Sequence, residues 1–108
     1  MDTDKASGIT RDGGRITIVG EVRQHNRSEL KEQAYDAIIE GHKAVTIDMR
    51  ECGYLDSSAL GVLCSIWREA SARGGVVRLE HVHEELRTLF QITKLDEVFE
   101  FAGQGTPA

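Results

Sequence analysis

Residues 44–61 read AVTIDMRECGYLDSSALG. The first six, 44–49, are apolar and rich in β-branched side chains, which predicts a strand. Such a run suits a strand covered on both faces, in a sheet with parallel pairing. The last residues open a helical pattern that runs from about Ser57 to Arg73 and is stopped by Gly74-Gly75. Between the two lies Asp56-Ser57-Ser58. Asp and Ser are favoured helix N-caps, because their side-chain oxygens accept from N–H groups left unpaired in the first turn. Either Asp56 or Ser57 can cap, but a cap alone does not require two serines followed by Gly61.

The rest of the chain extends this strand-to-helix alternation in both directions. Upstream, ASGITRDGGRITIVGEV reads as a hairpin turning at Asp12-Gly13-Gly14, with Gly20 ending the second strand. NRSELKEQAYDAIIEGHK follows as a helix, with Asn26 and Glu29 as a capping box, Ser28 as a rival cap and Gly41 at the C-terminal left-handed position. Leu30, Ala34, Ala37 and Ile38 form its inner face. Downstream come a strand at VVRLEHV (76–82), a helix at HEELRTLFQI (83–92) with Leu86, Leu89 and Phe90 in register, and a closing short strand within LDEVFEF (95–101). The order is ββαβαβαβ, which argues for an α/β fold built from βαβ units. We place one domain at 8–102, between a flexible N-terminus at 1–7 and a tail at 103–108.

In the helix from Ser57, a rotation of about 100° per residue groups Leu60, Leu63, Cys64, Trp67 and Ala70 toward the sheet. Ser58, Val62, Ser65 and Glu69 fall on the other side, leaving Val62 as an apolar residue on an exposed face, compatible with a monomer or a weak dimer. Cys64 reads as a packed small hydrophobe and Cys52 as a loop residue. Their spacing matches no zinc or redox signature, and no disulfide is expected.

The totals narrow the function. A chain of 108 residues with 40% hydrophobic and 29% charged content suits one soluble domain. Thirteen Lys and Arg against eighteen Asp and Glu give a net charge of −5, with no basic run, so neither nucleic acid nor an anionic membrane is the expected partner. No stretch is long and apolar enough to span a bilayer, and MDTDKASGIT lacks a signal-peptide pattern, so we expect a cytoplasmic protein without direct membrane contact.

Three readings of the Asp56 junction remain at this point. The first is structural capping. The second is nucleophilic catalysis by Ser57, but Leu55 and Ala59 stand where a G-x-S-x-G elbow has glycines, and His25, His42, His81 and His83 sit in no motif that announces a base. His81-x-His83 lacks a nearby third ligand for a metal and reads as a polar strand end. The third is regulatory: a helix N-terminus tolerates a phosphate at little cost to its own fold, whereas the same charge is costly inside an interface built over that turn.

VTIDMRECGYLDSSALGVL (45–63) resembles the signature of STAS domains, in particular bacterial anti-sigma factor antagonists. That pattern is an apolar strand ending in Asp, a turn with an aromatic, then an apolar residue and D-S-S/T-G-L-G-x-L. Asp48, Tyr54, Leu55, Asp56, Ser57, Ser58, Leu60, Gly61 and Leu63 match it. Gly20-Glu21-Val22 resembles the family's G-E-L segment, and the chain from Ala72 to Phe101 resembles its glycine turn, fourth strand, third helix and closing segment.

The resemblance implies a mixed, mostly β-sheet core with three or four helices, and a regulator rather than an enzyme. It implies a partner that is an anti-sigma factor, usually a serine kinase of the histidine-kinase-like ATPase fold. The kinase phosphorylates the first serine of the motif, here Ser57, with Ser58 as second choice, and a PP2C-type phosphatase reverses the step. No cofactor is implied for this chain, since ATP and magnesium belong to the kinase. The implied partner surface comprises Glu21, Arg23, Asp56, Ser58, Ala59, Gly61 and Val62. Glu21 and Asp56 are expected to add like-charge repulsion to a phosphate there.

Two positions depart from the family pattern. Ala59 replaces a frequent Gly, and its methyl group is expected to meet the partner backbone. Arg23 stands where antagonists commonly carry Asp, and is expected to favour a phosphate or to pair with Asp56. Arg23 is also the feature that favours an alternative, a STAS scaffold outside sigma-factor control: a partner-switching regulator of another pathway, a stress-sensing assembly subunit or an accessory protein of a lipid ABC transporter.

Overall fold

The computed structural model describes residues 8–103. The N-terminal segment 1–7, and the tail beyond Gly103, lie outside the described residues. The strands are β1 (Gly8–Asp12), β2 (Arg15–Val22), β3 (Ala44–Leu55), β4 (Val76–Glu80) and β5 (Glu100–Ala102). The helices are α1 (Arg27–Ile39), α2 (Ser57–Ala72) and α3 (Glu84–Ile92), with a 3-10 turn at Leu95–Glu97. One five-stranded sheet runs in the order β1-β2-β3-β4-β5. The β1–β2 hairpin is antiparallel and the other three pairings are parallel, each joined through one helix.

The hairpin turns at Gly13-Gly14 as expected, with Gly13 at φ 63°. Gly20 does not end β2. The strand continues to Val22, and the register against β3 shifts between Gly20 and Glu21, so this glycine, at φ 104°, marks a bulge. α1 ends before Gly41, whose φ of 100° suits a residue without Cβ.

β3 differs from expectation in two ways. It extends six residues beyond Met49 to Leu55, and only one of its faces is covered. Val45, Ile47 and Met49 are buried, while Thr46 and Asp48 alternate with them on a more open face. Ile16 and Ile18 of β2 and Val77 and Leu79 of β4 lie on the covered side, in one cluster with Leu30, Ala34, Leu63, Ile66 and Phe90 from the helices. The open face is polar. Arg15 spans Asp48 at 3.0 Å and Glu80 at 2.7 Å, and Arg78 meets Glu100 at 3.0 Å. These cross-strand pairs solvate a face that parallel sheets usually cover.

Past Met49 the buried residues are Cys52 and Leu55, a spacing of three rather than two. Cys52 is therefore a fully buried strand residue and not a loop residue. Burial pushes its thiol up to about 11. Both cysteines are free.

α2 turns a different side to the sheet than the rotation argument gave. Its buried residues are Ala59, Leu63, Ile66 and Ala70, while Leu60, Cys64 and Trp67 are only partly covered. Val62 is half-buried against the core edge rather than freely exposed. At the C-terminal end, Phe90 meets Phe99 and Phe101 edge-to-face, with centroids 6.0 and 5.7 Å apart. The closing strand is reduced to Glu100–Ala102, because the 3-10 turn takes up Leu95–Glu97.

Candidate functional site

The junction of β3 with α2 is held by one side chain. Asp56 is the N-cap, with extended backbone at φ −86° and ψ 177°. Its Oδ1 accepts from the Ala59 N–H at 2.9 Å and from the Ser58 hydroxyl at 2.7 Å. Its Oδ2 accepts from the Gln24 N–H at 3.0 Å. The Asp56 N–H donates to the Val22 carbonyl at 3.1 Å. The aspartate thus ties the start of α2 to the end of β2. The Ser58 hydroxyl, then the Ala59 and Gln24 N–H groups, stabilise the carboxylate and hold its pKa below the ordinary value.

The two serines are not equivalent. The Ser58 hydroxyl is committed to Asp56 and its side chain is half-buried. Ser57 is exposed, and among the described residues its hydroxyl makes no hydrogen bond, to a histidine or to any other group. His81 and His83 engage Arg50 instead. The Arg50 guanidinium lies 2.9 Å from His81 Nε2, and His83 Nε2 donates to the Arg50 carbonyl at 2.6 Å. No group of three potential metal ligands exists among the described residues.

Beside the serines, Arg23 is placed by backbone bonds on both sides, since Val22 and Gln24 each bond Asp56. Its side chain pairs with Glu21 at 2.6 Å and lies over the Tyr54 ring at 4.3 Å. The Arg23 guanidinium holds the Glu21 carboxyl below its usual range. The expected Arg23–Asp56 pair is not formed: Asp56 is saturated by three donors, and Glu21 offers Arg23 a free carboxylate two residues away. Glu21 likewise presents a paired charge instead of a bare one.

Asn26 does not form the expected capping box. Its Oδ1 accepts from the Arg23 N–H at 2.8 Å and its Nδ2 donates to the Glu21 carbonyl at 2.9 Å. It braces the β2–α1 loop, and α1 has no side-chain cap.

The remaining predicted residues divide by exposure. Gly61 is exposed, and a Cβ added there would meet nothing within 4 Å. Val62 stands beside it. Ala59 is fully buried, so its methyl group packs into the core and cannot touch a partner. Glu21, Arg23, Asp56, Ser57, Ser58, Gly61 and Val62 lie around the ends of β2 and β3 and the first turns of α2.

Three contributors were missed. The Gln24 backbone carries no sequence signal. Tyr54, 41% exposed beneath Arg23, was noted only as a motif residue. Tyr35, whose hydroxyl lies 2.6 Å from that of Ser65, was readable as an aromatic at i, i+4 and i+8 with Lys31 and Arg27.

Comparison with known proteins gives the family and the fold. The family model described as Mlab, STAS domain matches residues 6–100. The anti-sigma-B factor antagonist of Bacillus subtilis is 27% identical over 90 residues, which is 83% of this chain and 82% of that protein. An anti-sigma factor antagonist from Mycobacterium paratuberculosis superposes with a TM-score of 0.73 at 16% identity, covering 94% of this chain and 89% of the other. The unphosphorylated anti-sigma factor antagonist SpoIIAA superposes at 0.69 with 20% identity, covering 94% and 90%. At these identities the superpositions establish a shared fold, a five-stranded mixed sheet with three helices.

Proposed function

The chain belongs to the STAS domain family, and on that premise we propose that it is an anti-sigma factor antagonist switched by phosphorylation of Ser57. Unmodified, it binds a cognate anti-sigma factor and so frees a sigma factor. The partner is a serine kinase of the histidine-kinase-like ATPase fold, a PP2C-type phosphatase restores the binding form, and the cycle runs in the cytoplasm. No helix among the described residues is long and apolar enough to cross a membrane. The kinase brings the nucleotide and the metal. This chain supplies the acceptor hydroxyl and the surface around it.

The observation that carries the reading is the division of labour between the serines. Ser58 completes the Asp56 cap, which leaves Ser57 exposed with an unengaged hydroxyl at the first position of α2. A phosphoserine adds roughly −1.5 to −2 of charge at neutral pH. At a helix N-terminus that charge is tolerated by the fold. In a partner interface the same dianion must be desolvated, a cost that can exceed the ~2.7 kcal/mol that a hundredfold loss of affinity represents.

Binding to the purified anti-sigma kinase tests this. Ser57→Ala should bind as tightly as the unmodified chain and stay bound with ATP present, while Ser57→Glu should bind about a hundredfold more weakly. Equal binding by both variants would overturn the proposal.

A second reading is favoured by one observation. Arg23, locked to Glu21 and stacked on Tyr54, puts a cation where a phosphate-repelling surface would carry an acid. That suits a STAS scaffold in another pathway. Neighbouring genes for a permease and an ATPase, instead of a kinase and a sigma factor, would favour it.

A further inference from the structure

α1 and α2 pack side by side, and their N-terminal turns leave a groove between them. Arg27 and Lys31 line it from α1, and Ser58, Gly61, Val62 and Ser65 from α2. One turn past Lys31 the Tyr35 and Ser65 hydroxyls bridge the two helices.

This groove brings two cations together without a carboxylate between them. Arg11, Arg15, Arg23, Arg73 and Arg78 each hold a carboxylate within 3.0 Å. Arg27 and Lys31 hold none among the described residues; Arg68 and Lys94 hold none either, but Arg27 and Lys31 stand one turn apart and line the same groove. Lys31 instead lies over the Tyr35 ring at 5.5 Å. No acidic residue lines the groove. Both helices also begin here, their positive ends offset in part by Glu29 in the first turn of α1 and by the Asp56 cap of α2.

The shape suits a chain segment. Gly61 presents bare backbone with open space above it, so a partner backbone can approach closely. Val62 supplies a half-buried apolar step, and the hydroxyls of Ser58 and Ser65 border it.

We infer that this groove docks an acidic segment of the partner protein, its carboxylates facing Arg27 and Lys31 and its backbone crossing Gly61. The inference rests on the reading of the chain as a partner-binding module. It also gives the Ser57 switch a second arm. Ser57 adjoins Ser58 at the mouth of the groove, so a phosphate there repels the acidic segment and competes with it for the same two cations.

The test is an amide NMR titration of the full, isotopically labelled chain with a capped hexaglutamate peptide, with hexalysine as control. Shifts should concentrate at Arg27, Lys31, Ser58, Gly61 and Val62, saturate, and shrink with added salt. The double variant Arg27→Glu, Lys31→Glu should bind about tenfold or more weakly. Gly61→Val, which fills the floor without changing charge, should also weaken binding while its spectrum stays dispersed. Shifts scattered over Arg68 or Lys94, affinity unchanged in the double variant, or equal response to hexalysine would overturn the proposal. So would groove shifts that depend on protein concentration without peptide, which would make a second copy the occupant. The assay uses neither the kinase nor a phosphate. A negative result therefore removes the groove and leaves the Ser57 switch standing, and an unmodifiable Ser57 leaves a positive groove result standing.

Discussion

The β3–α2 and β4–α3 turns lie on the same edge of the sheet and start their helices differently. At β3–α2, Asp56 gathers three donors, and the first turn beyond it contains no acidic residue. At β4–α3, the N-cap His83 makes no side-chain cap bond, its ring going to the Arg50 carbonyl, and Glu84 and Glu85 occupy the first turn. The preceding His81 has φ 57°, a left-handed conformation uncommon for a residue with a side chain. Two carboxylates therefore already answer the positive end of α3, whereas α2 has a single aspartate whose lone pairs are spent on local donors. Of the two helix starts, α2 is the one with room for a further anion, and Ser57 is where it would be attached.

If the difference resides in the turns, the helices behind them should be docked equally well. Phe90→Ala, under α3, should cost about 3–5 kcal/mol, and Leu63→Ala, under α2, about 2–5 kcal/mol, both read from denaturant unfolding. A much smaller loss for Leu63→Ala would mean that α2 is loosely held and would break the comparison at its base.

The next largest effect separates the turns themselves. Asp56→Ala should lower the thermal midpoint clearly, since it frees the Ala59 and Gln24 N–H groups and the Ser58 hydroxyl together. His83→Ala should lower it less, having no cap bond to lose. Circular dichroism melts of the two variants side by side check the order, and a larger loss for His83→Ala would reverse it.

The pH dependence sharpens the same point. Asp56 has a folded pKa below its ordinary 3.8. Its contribution is therefore fully present above that value and is lost as the pH falls below it and through the lower folded pKa. The gap in thermal midpoint between the wild-type chain and Asp56→Ala should stay constant from neutral pH down to about 5 and close on further acidification. A gap that widened with acid would contradict the assignment.

The smallest effect is expected at Ser58. Ser58→Ala removes one of three bonds to Asp56 and should cost about 1 kcal/mol or less in denaturant unfolding.

Much of this architecture is visible in the chain itself. The hairpin at Gly13-Gly14, the helix stop before Gly41 and the inner face of α1 follow from local rules that tertiary packing did not override. The STAS motif carried the junction and the candidate serine. Where reading failed, the cause is physical. The second half of β3 buries every third residue, because bulges against β2 break the alternation on which a strand is recognised, and so Cys52 looked like a loop residue. The polar face of the sheet was hidden because Arg15, Asp48 and Glu80 come from three strands. Asn26 has the right type and spacing for a cap, yet its amide is drawn to Glu21 and Arg23. Arg23 turns to Glu21 because Asp56 is already full, a competition that no spacing rule records. Ala59 shows the cost of placing a helix face one residue off: expected at a partner surface, it is part of the core.

The most direct measurement is phosphosite mapping of the protein isolated from its native cells with phosphatases inhibited, by intact mass and then by fragmentation of the peptide that spans Tyr54 to Trp67. The account predicts a single phosphate on Ser57, with Ser58 unmodified because its hydroxyl is held by Asp56. A phosphate on Ser58 with Ser57 bare, or none under any growth condition, would contradict it.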